Sequence, residues 1–189
     1  MDLISLILLA LGLSMDAFAV SISNSMCFEL KKRDGVLTSL AFGVFQGIMP
    51  IAGYFAGRAF ANTIANVDHW IAFVLLGFIG GKMIFDSLRE WNEPIACPVE
   101  KTLTAKMVLL QAVATSIDAL AVGVGFAVRD VNIWVAAGLI AAITFVCCLV
   151  GHFIGKKAGG LLGNWAQIGG GVILIAIGLK ILISHLLGA

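Results

Sequence analysis

Residues 14–23 read SMDAFAVSIS, and residues 116–125 repeat the pattern as SIDALAVGVG. The two stretches share Ser, Asp, Ala, Ala and Val at the same places, and most of the other differences are conservative. Weaker matches follow along the chain: Gly53 and Gly57 against Gly151 and Gly155, and Lys82 against Lys180. The duplication predicts two related halves, at about residues 1–88 and 107–189, joined by a linker at about residues 89–106.

The composition indicates a protein that is embedded in a lipid bilayer. Of its 189 residues, 60% are hydrophobic and 12% are charged, whereas soluble domains contain about 25% charged residues. A membrane-spanning helix needs about 20 mostly apolar residues, and six stretches meet this need, near 3–24, 36–57, 70–88, 107–127, 133–155 and 165–187. These stretches predict an all-α, polytopic membrane protein in which residues 1–189 form a single transmembrane domain.

The number of spans in each half determines how the halves are oriented. Three crossings return the chain to the opposite side, so two copies of a three-helix unit are inverted relative to each other. Eight positively charged loop residues fall on one predicted side of the membrane: Lys31, Lys32, Arg33, Arg89, Lys101, Lys106, Lys156 and Lys157. The other side receives only Arg58 and Arg129. By the positive-inside rule the first side faces the cytoplasm, so both termini are predicted to lie outside it.

Each repeated motif carries an aspartate near the middle of a predicted span, Asp16 in the first and Asp118 in the fourth. A charge at the bilayer centre costs about 2.5–3.5 kcal/mol on insertion scales, so such an acid is expected to face a partner or a water-filled cavity. A two-fold axis in the membrane plane would bring both carboxylates to the midplane. They would then share a cation, or one or both would stay protonated. The structural alternative is that they pair with Lys82 or Lys180.

Further oxygen ligands are expected close to the two acids. Pro50 lacks an N–H, which releases the carbonyl group of Gln46 from its helix. The full set of predicted metal ligands is Asp16, Asp118, Gln46, Ser14, Ser116, Ser23, Asn24 and Gln111. Carboxylate, amide and hydroxyl oxygens suit hard divalent cations such as Mg, Ca or Mn better than Zn or Cu(I). The residues alone therefore predict a hard divalent cation and leave its identity open.

The cysteines and histidines do not extend this predicted site. The four cysteines show neither metal-ligand spacing nor a disulfide framework; they are Cys27, Cys97, Cys147 and Cys148. The three histidines fall at or near helix ends, which predicts interfacial positions for His69, His152 and His185. A net charge of +1 without a long basic run argues against nucleic acid as a partner. The lipid bilayer is the partner that the composition predicts.

Four stretches together resemble the MntP family of small six-helix manganese efflux pumps. They are SMDAFAVSIS from Ser14, FGVFQGIMPIAGY from Phe42, HWIAFVLLGFIGGKMI from His69 and ATSIDALAVGVGFA from Ala114. The resemblance covers essentially the whole chain and implies manganese export across the bacterial inner membrane, with Asp16 and Asp118 needed for transport. Some members have an acid where Gln46 stands and a glycine where Ser25 stands. Gln46 would lower the charge of the site by one.

The combined interpretation is a multi-pass secondary transporter and not an enzyme. Mn²⁺ is then the transported substrate, no cofactor is bound permanently, and protons are one candidate for the coupling ion. Three alternatives stay open. The chain could export another divalent cation, or a small organic cation or amino acid in a cavity with walls from Phe18, Phe42 and Phe45. It could also be an intramembrane enzyme with the aspartates as an acid dyad, although a symmetric repeat suits alternating access better.

Overall fold

A computed structural model describes residues 3–28, 30–59, 68–89, 97, 102–127, 131–158 and 160–186. Every regular element in these ranges is a helix, which confirms the all-α prediction for them. In chain order the helices are α1 (Leu3–Cys27), α2 (Lys32–Ala59), α3 (Asp68–Arg89), α4 (Ala105–Ala114), α5 (Ile117–Phe126), α6 (Ile133–Ala158) and α7 (Gly160–Leu186). As far as the structure describes them, the six predicted apolar stretches are helical, and the fourth is divided into α4 and α5.

Four of the predicted spans have the length and apolar composition to cross a membrane. They are Leu3–Cys27, Lys32–Ala59, Ala105–Phe126 and Ile133–Gly155. In α7 the apolar stretch is shorter and covers Gln167–Lys180, so the third and sixth spans stay predictions. Most of the predicted linker 89–106 lies outside the described residues, as do Lys101 and Arg129 from the charge comparison.

The outward surface of the helices is apolar, as a lipid-facing surface must be. Large side chains are among the most exposed, including Ile4 at 70%, Phe78 at 70% and Trp134 at 66%. Buried positions instead include many small or polar residues, such as Ser14 and Gln46, both fully buried. Small residues at helix contacts are typical of membrane proteins. The hydrophobic effect does not drive helices together in lipid, so close packing has to stabilise their contacts.

Glycines set where the helices cross. A Cβ atom added to Gly53 of α2 would overlap the Leu120 carbonyl oxygen of α5. A Cβ atom added to Gly151 of α6 would lie 3.0 Å from the Phe18 carbonyl oxygen of α1. Besides these crossings, α1 packs along α7, α2 packs along α6, and α3 packs against α7. These contacts hold the repeated aspartates, which lie on α1 and α5, inside the bundle.

One prediction about individual residues was wrong. Cys27 and Cys97 form a disulfide across a sequence separation of 70 residues, where the sequence indicated no disulfide framework. His152 is only 8% exposed, and its Nδ1 lies 2.7 Å from the Ser25 Oγ, near the end of α1, so its predicted position towards a helix end stays a prediction for the membrane interface. The ring fits because Gly35 of α2 has no side chain: a Cβ atom there would overlap the imidazole. The side chains of His69 and His185 lie outside the described part.

Candidate cation site

A break in the fourth predicted span positions Asp118. The α4 helix ends at Ala114 and α5 begins at Ile117. At the break the Ser116 N–H turns back to the Val113 carbonyl at 3.2 Å, and the Ala119 N–H donates to Asp118 Oδ1 at 2.7 Å. Asp118 therefore lies in the first turn of a new helix, where free N–H groups favour a carboxylate.

Two hydroxyl side chains take part in this break. Thr115 Oγ1 donates to the Gln111 carbonyl at 2.9 Å, and Ser116 Oγ donates to the Ala112 carbonyl at 2.7 Å. Such bonds back to the helix backbone compete with the regular ladder and often bend helices. The break thus interrupts the regular helix ladder immediately before Asp118.

Gln46 of α2 lies beside Asp118 and is fully buried. Its Nε2 donates to the Leu13 carbonyl of α1 at 2.9 Å. Its Oε1 is buried without a hydrogen-bond partner, and so is Asp118 Oδ2. Buried polar atoms almost always have a partner, so two neighbouring acceptors without one indicate a group that the protein atoms do not supply. A cation or a proton would satisfy both.

Asp16 of α1 completes this group. It is half-buried and close enough to Asp118 for the two acids to interact electrostatically. Lys82 and Asp86 of α3 also lie near Asp16, with opposite effects on its charge. Three of the predicted ligands, Asp16, Asp118 and Gln46, therefore come together from α1, α5 and α2. The sequence also left open that the two acids simply pair with Lys82 or Lys180. The proximity of Lys82 to Asp16 fits that alternative for one of the two acids.

The predicted serine ligands are arranged differently. Ser14 Oγ donates to the Leu11 carbonyl at 2.8 Å and lies 3.4 Å from Cys147 Sγ of α6. Ser116 belongs to the break itself and bonds to the backbone, as described above. Ser23 is half-buried on α1. The hydroxyl protons of Ser14 and Ser116 are used within the protein, although their oxygens keep lone pairs for a ligand.

The predicted amide ligands Asn24 and Gln111 bond to each other. Asn24 Nδ2 donates to Gln111 Oε1 at 2.9 Å, and Gln111 Nε2 donates to Asn24 Oδ1 at 3.1 Å. Asn24 is eight residues from Asp16, about 12 Å along α1, and Gln111 is seven residues from Asp118, on the other side of the α4–α5 break. The amide pair is thus a separate contact at another level of the bundle.

One polar residue of interest was missing from the predicted ligand set. Thr144 of α6 is fully buried, and its Oγ1 has no hydrogen-bond partner. A signal for it was present in the sequence: Thr144 follows Gln46 by 98 residues, the same spacing that separates Gly151 from Gly53. The repeat therefore places Thr144 at the position that matches Gln46.

The donor atoms at this site suit a hard cation. The described residues contain no group of three or more His, Cys, Asp or Glu that could hold a metal ion. Any cation held here would instead use the two carboxylates and the amide oxygen of Gln46. Oxygen-only sets of this kind favour Mg, Ca or Mn over softer metals.

Sequence comparison identifies the group of proteins to which this site belongs. The family described as "Putative manganese efflux pump" (Mntp) matches residues 29–182. The chain belongs to the MntP family. A Clostridium botulinum (strain Langeland) relative, "Putative manganese efflux pump MntP 2", is 51% identical over 98% of this chain and 96% of its own length. The resemblance noted in the four sequence stretches is thereby confirmed.

Other MntP relatives match over the same extent. A "Putative manganese efflux pump MntP" from Ruminiclostridium cellulolyticum is 50% identical over 98% of both chains. One from Clostridium perfringens (strain SM101) is 46% identical over 98% of this chain and 96% of its own. No solved structure matches the chain. Membership in a family of efflux pumps supports a multi-pass membrane transporter in place of an enzyme.

Proposed function

We propose that the protein exports Mn²⁺ from the cytoplasm as a secondary transporter, with the transported ion held between Asp16, Asp118 and Gln46. The observation that carries this proposal is that Asp118 Oδ2 and Gln46 Oε1 are each buried without a partner, on two side chains that lie next to each other. Asp16 adds a second negative charge at the same place. The printed names of the MntP relatives support Mn²⁺ as the cation.

The chemistry of the proposed site explains how the bound cation can be released. Two carboxylates near each other repel when ionised, and a divalent ion neutralises both at once. Protons could do the same after the metal leaves, which makes a proton antiport cycle the simplest coupling for these residues. The amide of Gln46 contributes an oxygen without adding charge, so the site carries one negative charge fewer than with an acid there. A lower site charge favours release of the ion.

We further propose that the bundle consists of two inverted repeats, and the glycine contacts support this. Gly57 meets the Val124 carbonyl oxygen, and a Cβ atom there would lie 3.0 Å from it. Gly155 meets the Ile22 carbonyl oxygen at 2.8 Å on the same measure. In the repeat, Gly57 matches Gly155 and Val124 matches Ile22. The second helix of each half therefore crosses the first helix of the other half in a similar way.

The sidedness of transport follows from the charge pattern. Lys31, Lys32 and Arg33 are exposed next to the end of α1, and the positive-inside rule assigns this end to the cytoplasm. The protein then spans the bacterial inner membrane with both termini on the side away from the cytoplasm. Export means that the ion reaches the acids from the end of α1 near Cys27 and leaves from the end near Leu3.

The packing of three phenylalanines argues against an exporter of organic cations or amino acids. Phe42 is buried in a cluster with Ala17, Ala112 and Cys148, against which Phe45 packs. The ring of Phe18 packs against Gly151, 3.0 Å from where a Cβ atom would lie. These are the residues that would have to line a larger cavity, and all three are committed to contacts between helices.

The proposal is tested by metal transport into proteoliposomes, with Mn, Fe, Co, Zn, Mg and Ca supplied in turn and the internal pH recorded. We expect Mn²⁺ to move with a counterflow of protons. Asp16→Asn and Asp118→Asn should each reduce Mn²⁺ transport more than 100-fold while the protein still elutes as a folded species. Asp86→Asn, on α3 near Asp16, is the matched control and should retain most of the activity. Retained transport in either of the first two variants would refute the site.

A further inference from the structure

Two helix interfaces that the repeat makes equivalent are packed to different extents. Positions in α1 match positions 102 residues later in the fourth span, and positions in α3 match positions 98 residues later in α7. The packing of α7 on α1 therefore has a counterpart, which is the packing of α3 on α4 and α5. Among the described residues, α7 packs along α1, whereas α3 contacts α5 to a much smaller extent. The bundle departs from its own symmetry at this place.

Close contacts with glycine hold α7 on α1. A Cβ atom on Gly12 of α1 would lie 3.0 Å from the Leu174 Cγ of α7. A Cβ atom on Gly170 of α7 would overlap the side chain of Met15. Gly12 and Leu174 are accordingly buried. The two helices are in contact over at least one turn of α1, on the side of Asp16 that leads towards Leu3.

The matching positions in the fourth span are not covered in this way. Ala114 matches Gly12 and is exposed, and Ile117 matches Met15 and is 60% exposed. The position in α3 that matches Leu174 is Leu76. The contact between Gly12 and Leu174 thus predicts a counterpart between Ala114 and Leu76, which the exposure of Ala114 shows is not formed here.

Other interfaces in the bundle obey the repeat. In the contact between α3 and α7, a Cβ atom on either Gly80 or Gly171 would overlap the carbonyl oxygen of the other. Their matching positions are Gly178 and Phe73, and a Cβ atom on Gly178 would lie 3.5 Å from the Phe73 carbonyl oxygen. The crossings of α2 on α5 and of α6 on α1 also correspond, as the glycine contacts described above show. Interfaces that keep the symmetry have no need to change when the two halves exchange roles.

We infer that α3 and α7 form one rigid pair that rocks against the other helices, and that this structure is the end state in which the pair is closed on α1 and open towards α4 and α5. In the other end state, Leu76 of α3 packs on Ala114 and α7 leaves Gly12. Rocking of one helix group against another is a common form of alternating access in inverted repeats. The inference rests on the proposed function, because it supplies the motion of that transport cycle.

The closed interface also determines the side to which this end state opens. Gly12 and Met15 lie in the part of α1 that leads to Leu3, the end that the proposed orientation places away from the cytoplasm. Ala114 lies in the part of the fourth span that begins beside Lys106, on the cytoplasmic side. The structure is therefore the form that opens to the cytoplasm and would receive the ion.

Disulfide cross-links test the motion, after the four native cysteines are replaced. Gly12→Cys with Leu174→Cys joins α1 to α7, where the 3.0 Å spacing suits a disulfide. Ala114→Cys with Leu76→Cys joins α4 to α3 and captures the other end state. We expect both pairs to cross-link in the membrane, and each cross-link to lower Mn²⁺ transport about 10-fold or more, with recovery after reduction, because it holds one end state.

A matched control joins the two helices that should move together. A Cβ atom on Gly178 would lie 3.2 Å from Leu76 Cβ, so Leu76→Cys with Gly178→Cys should also cross-link. Transport should stay within about twofold of its reduced form, since the cross-link lies inside one rigid body. Blocked transport in this control would overturn the inference. A failure of Ala114→Cys and Leu76→Cys to cross-link in transporting membranes would overturn it too, as would full transport with α1 joined to α7.

Distances between spin labels provide a measurement that leaves the buried contacts intact. Leu88 of α3 and Leu109 of α4 are 58% and 51% exposed. Labels on Leu88→Cys and Leu109→Cys should show two distances whose populations change with Mn²⁺, because the ion favours one end state over the other. Labels on Ile48→Cys of α2 and Val146→Cys of α6, both also exposed, should show one distance that Mn²⁺ does not change. A single, constant distance between α3 and α4 would refute the motion.

The same labels separate this inference from the proposed metal site. In Asp16→Asn protein, the two distances between α3 and α4 should persist, while their populations no longer respond to Mn²⁺. Retained Mn²⁺ transport in Asp16→Asn would refute the site and leave the motion standing. Loss of transport in Asp16→Asn, together with one fixed distance in the parent protein, would support the site and refute the motion.

Discussion

Gln46 Nε2 donates to the Leu13 carbonyl oxygen at 2.9 Å, so α2 holds α1 less than one turn from Asp16. The side chain of Gln46 also lies beside Asp118, and its Oε1 is buried without a partner. One side chain thus connects the helix of the first acid with the carboxylate of the second. The geometry of the proposed site depends on this connection.

We expect Gln46→Leu to raise the KM for Mn²⁺ about 30-fold, because it removes both the contact to Leu13 and an oxygen ligand, each worth about 1 kcal/mol. Uptake measured across a range of Mn²⁺ concentrations in proteoliposomes gives the value. Gln46→Glu retains an oxygen at the same reach and adds a negative charge, so its KM should not exceed that of the parent. A leucine variant with the parent KM would remove Gln46 from the site.

Lys82 is expected to compete with the metal for Asp16. Its positive charge lies close enough to interact with that carboxylate, and a unit charge at short range contributes about 1 kcal/mol or more near a protein surface. Lys82→Gln should therefore lower the KM for Mn²⁺ about 3- to 10-fold. Lys180→Gln is the control, because Lys180 Nζ donates to Ser5 Oγ at 2.8 Å. Were Lys82 only a structural partner of the acid, its loss would destabilise the protein and leave KM unchanged.

Gly53 is expected to tolerate no side chain. Gly53→Ala would drive a methyl group into the Leu120 carbonyl oxygen, and forced overlap in a packed interior typically costs about 1–3 kcal/mol. Thermal unfolding in detergent should show a clear loss of stability, with reduced transport. Gly77→Ala is the matched control, since no atom lies within 4 Å of a Cβ atom there. Its melting temperature should be equal or higher, because alanine favours a helix by about 1 kcal/mol over glycine.

Thr144→Val separates a structural from a functional role for the buried hydroxyl. A buried hydroxyl without a partner costs about 1–3 kcal/mol, and valine has nearly the same shape, so the variant should be as stable as the parent or more stable. We expect the rate of Mn²⁺ transport to fall at least fivefold, because the hydroxyl matches Gln46 in the repeat. A stabilised variant with full transport would show that Thr144 has no part in the cycle.

The state of Cys27 and Cys97 in living cells reports which side of the membrane they face. The structure joins them in a disulfide, with Cα atoms 5.1 Å apart, but in the orientation that we propose this end faces the cytoplasm, where thiols stay reduced. We expect thiol trapping in intact cells to find both as free thiols and the purified protein to form the bond on oxidation. A disulfide in growing cells would reverse the orientation that we propose.

The helices could be predicted from the sequence because a long apolar stretch in a bilayer must pair its own backbone groups, and a helix does this within one segment. The break between α4 and α5 could not be predicted in the same way. Thr115 and Ser116 are common in membrane helices, and only the structure shows that both hydroxyls bond back to the backbone where the ladder is interrupted. The disulfide was missed for a related reason, since contacts over 70 residues leave no local pattern.

The central part of the candidate site could also be predicted. Asp16 and Asp118 are distinguished by their repeat and by the cost of a charge in hydrocarbon, and Gln46 by the proline that follows it. The roles of Asn24 and Gln111 could not be predicted, because a helical face indicates which residues share a side but not which of them bond to each other. Their pairing places them at another level of the bundle.

Only one of the two repeated aspartates lies next to a helix break, since α1 runs unbroken through Ser14 and Met15. If the two repeats exchange shapes during a transport cycle, the opposite form would have a straight segment from 105 to 126 and an interruption at Ser14 and Met15. In that form Thr144 would take over the task of Gln46 and donate to the Thr115 carbonyl, the counterpart of Leu13. The broken and the unbroken form of the repeated motif would then correspond to the two end states of the transport cycle.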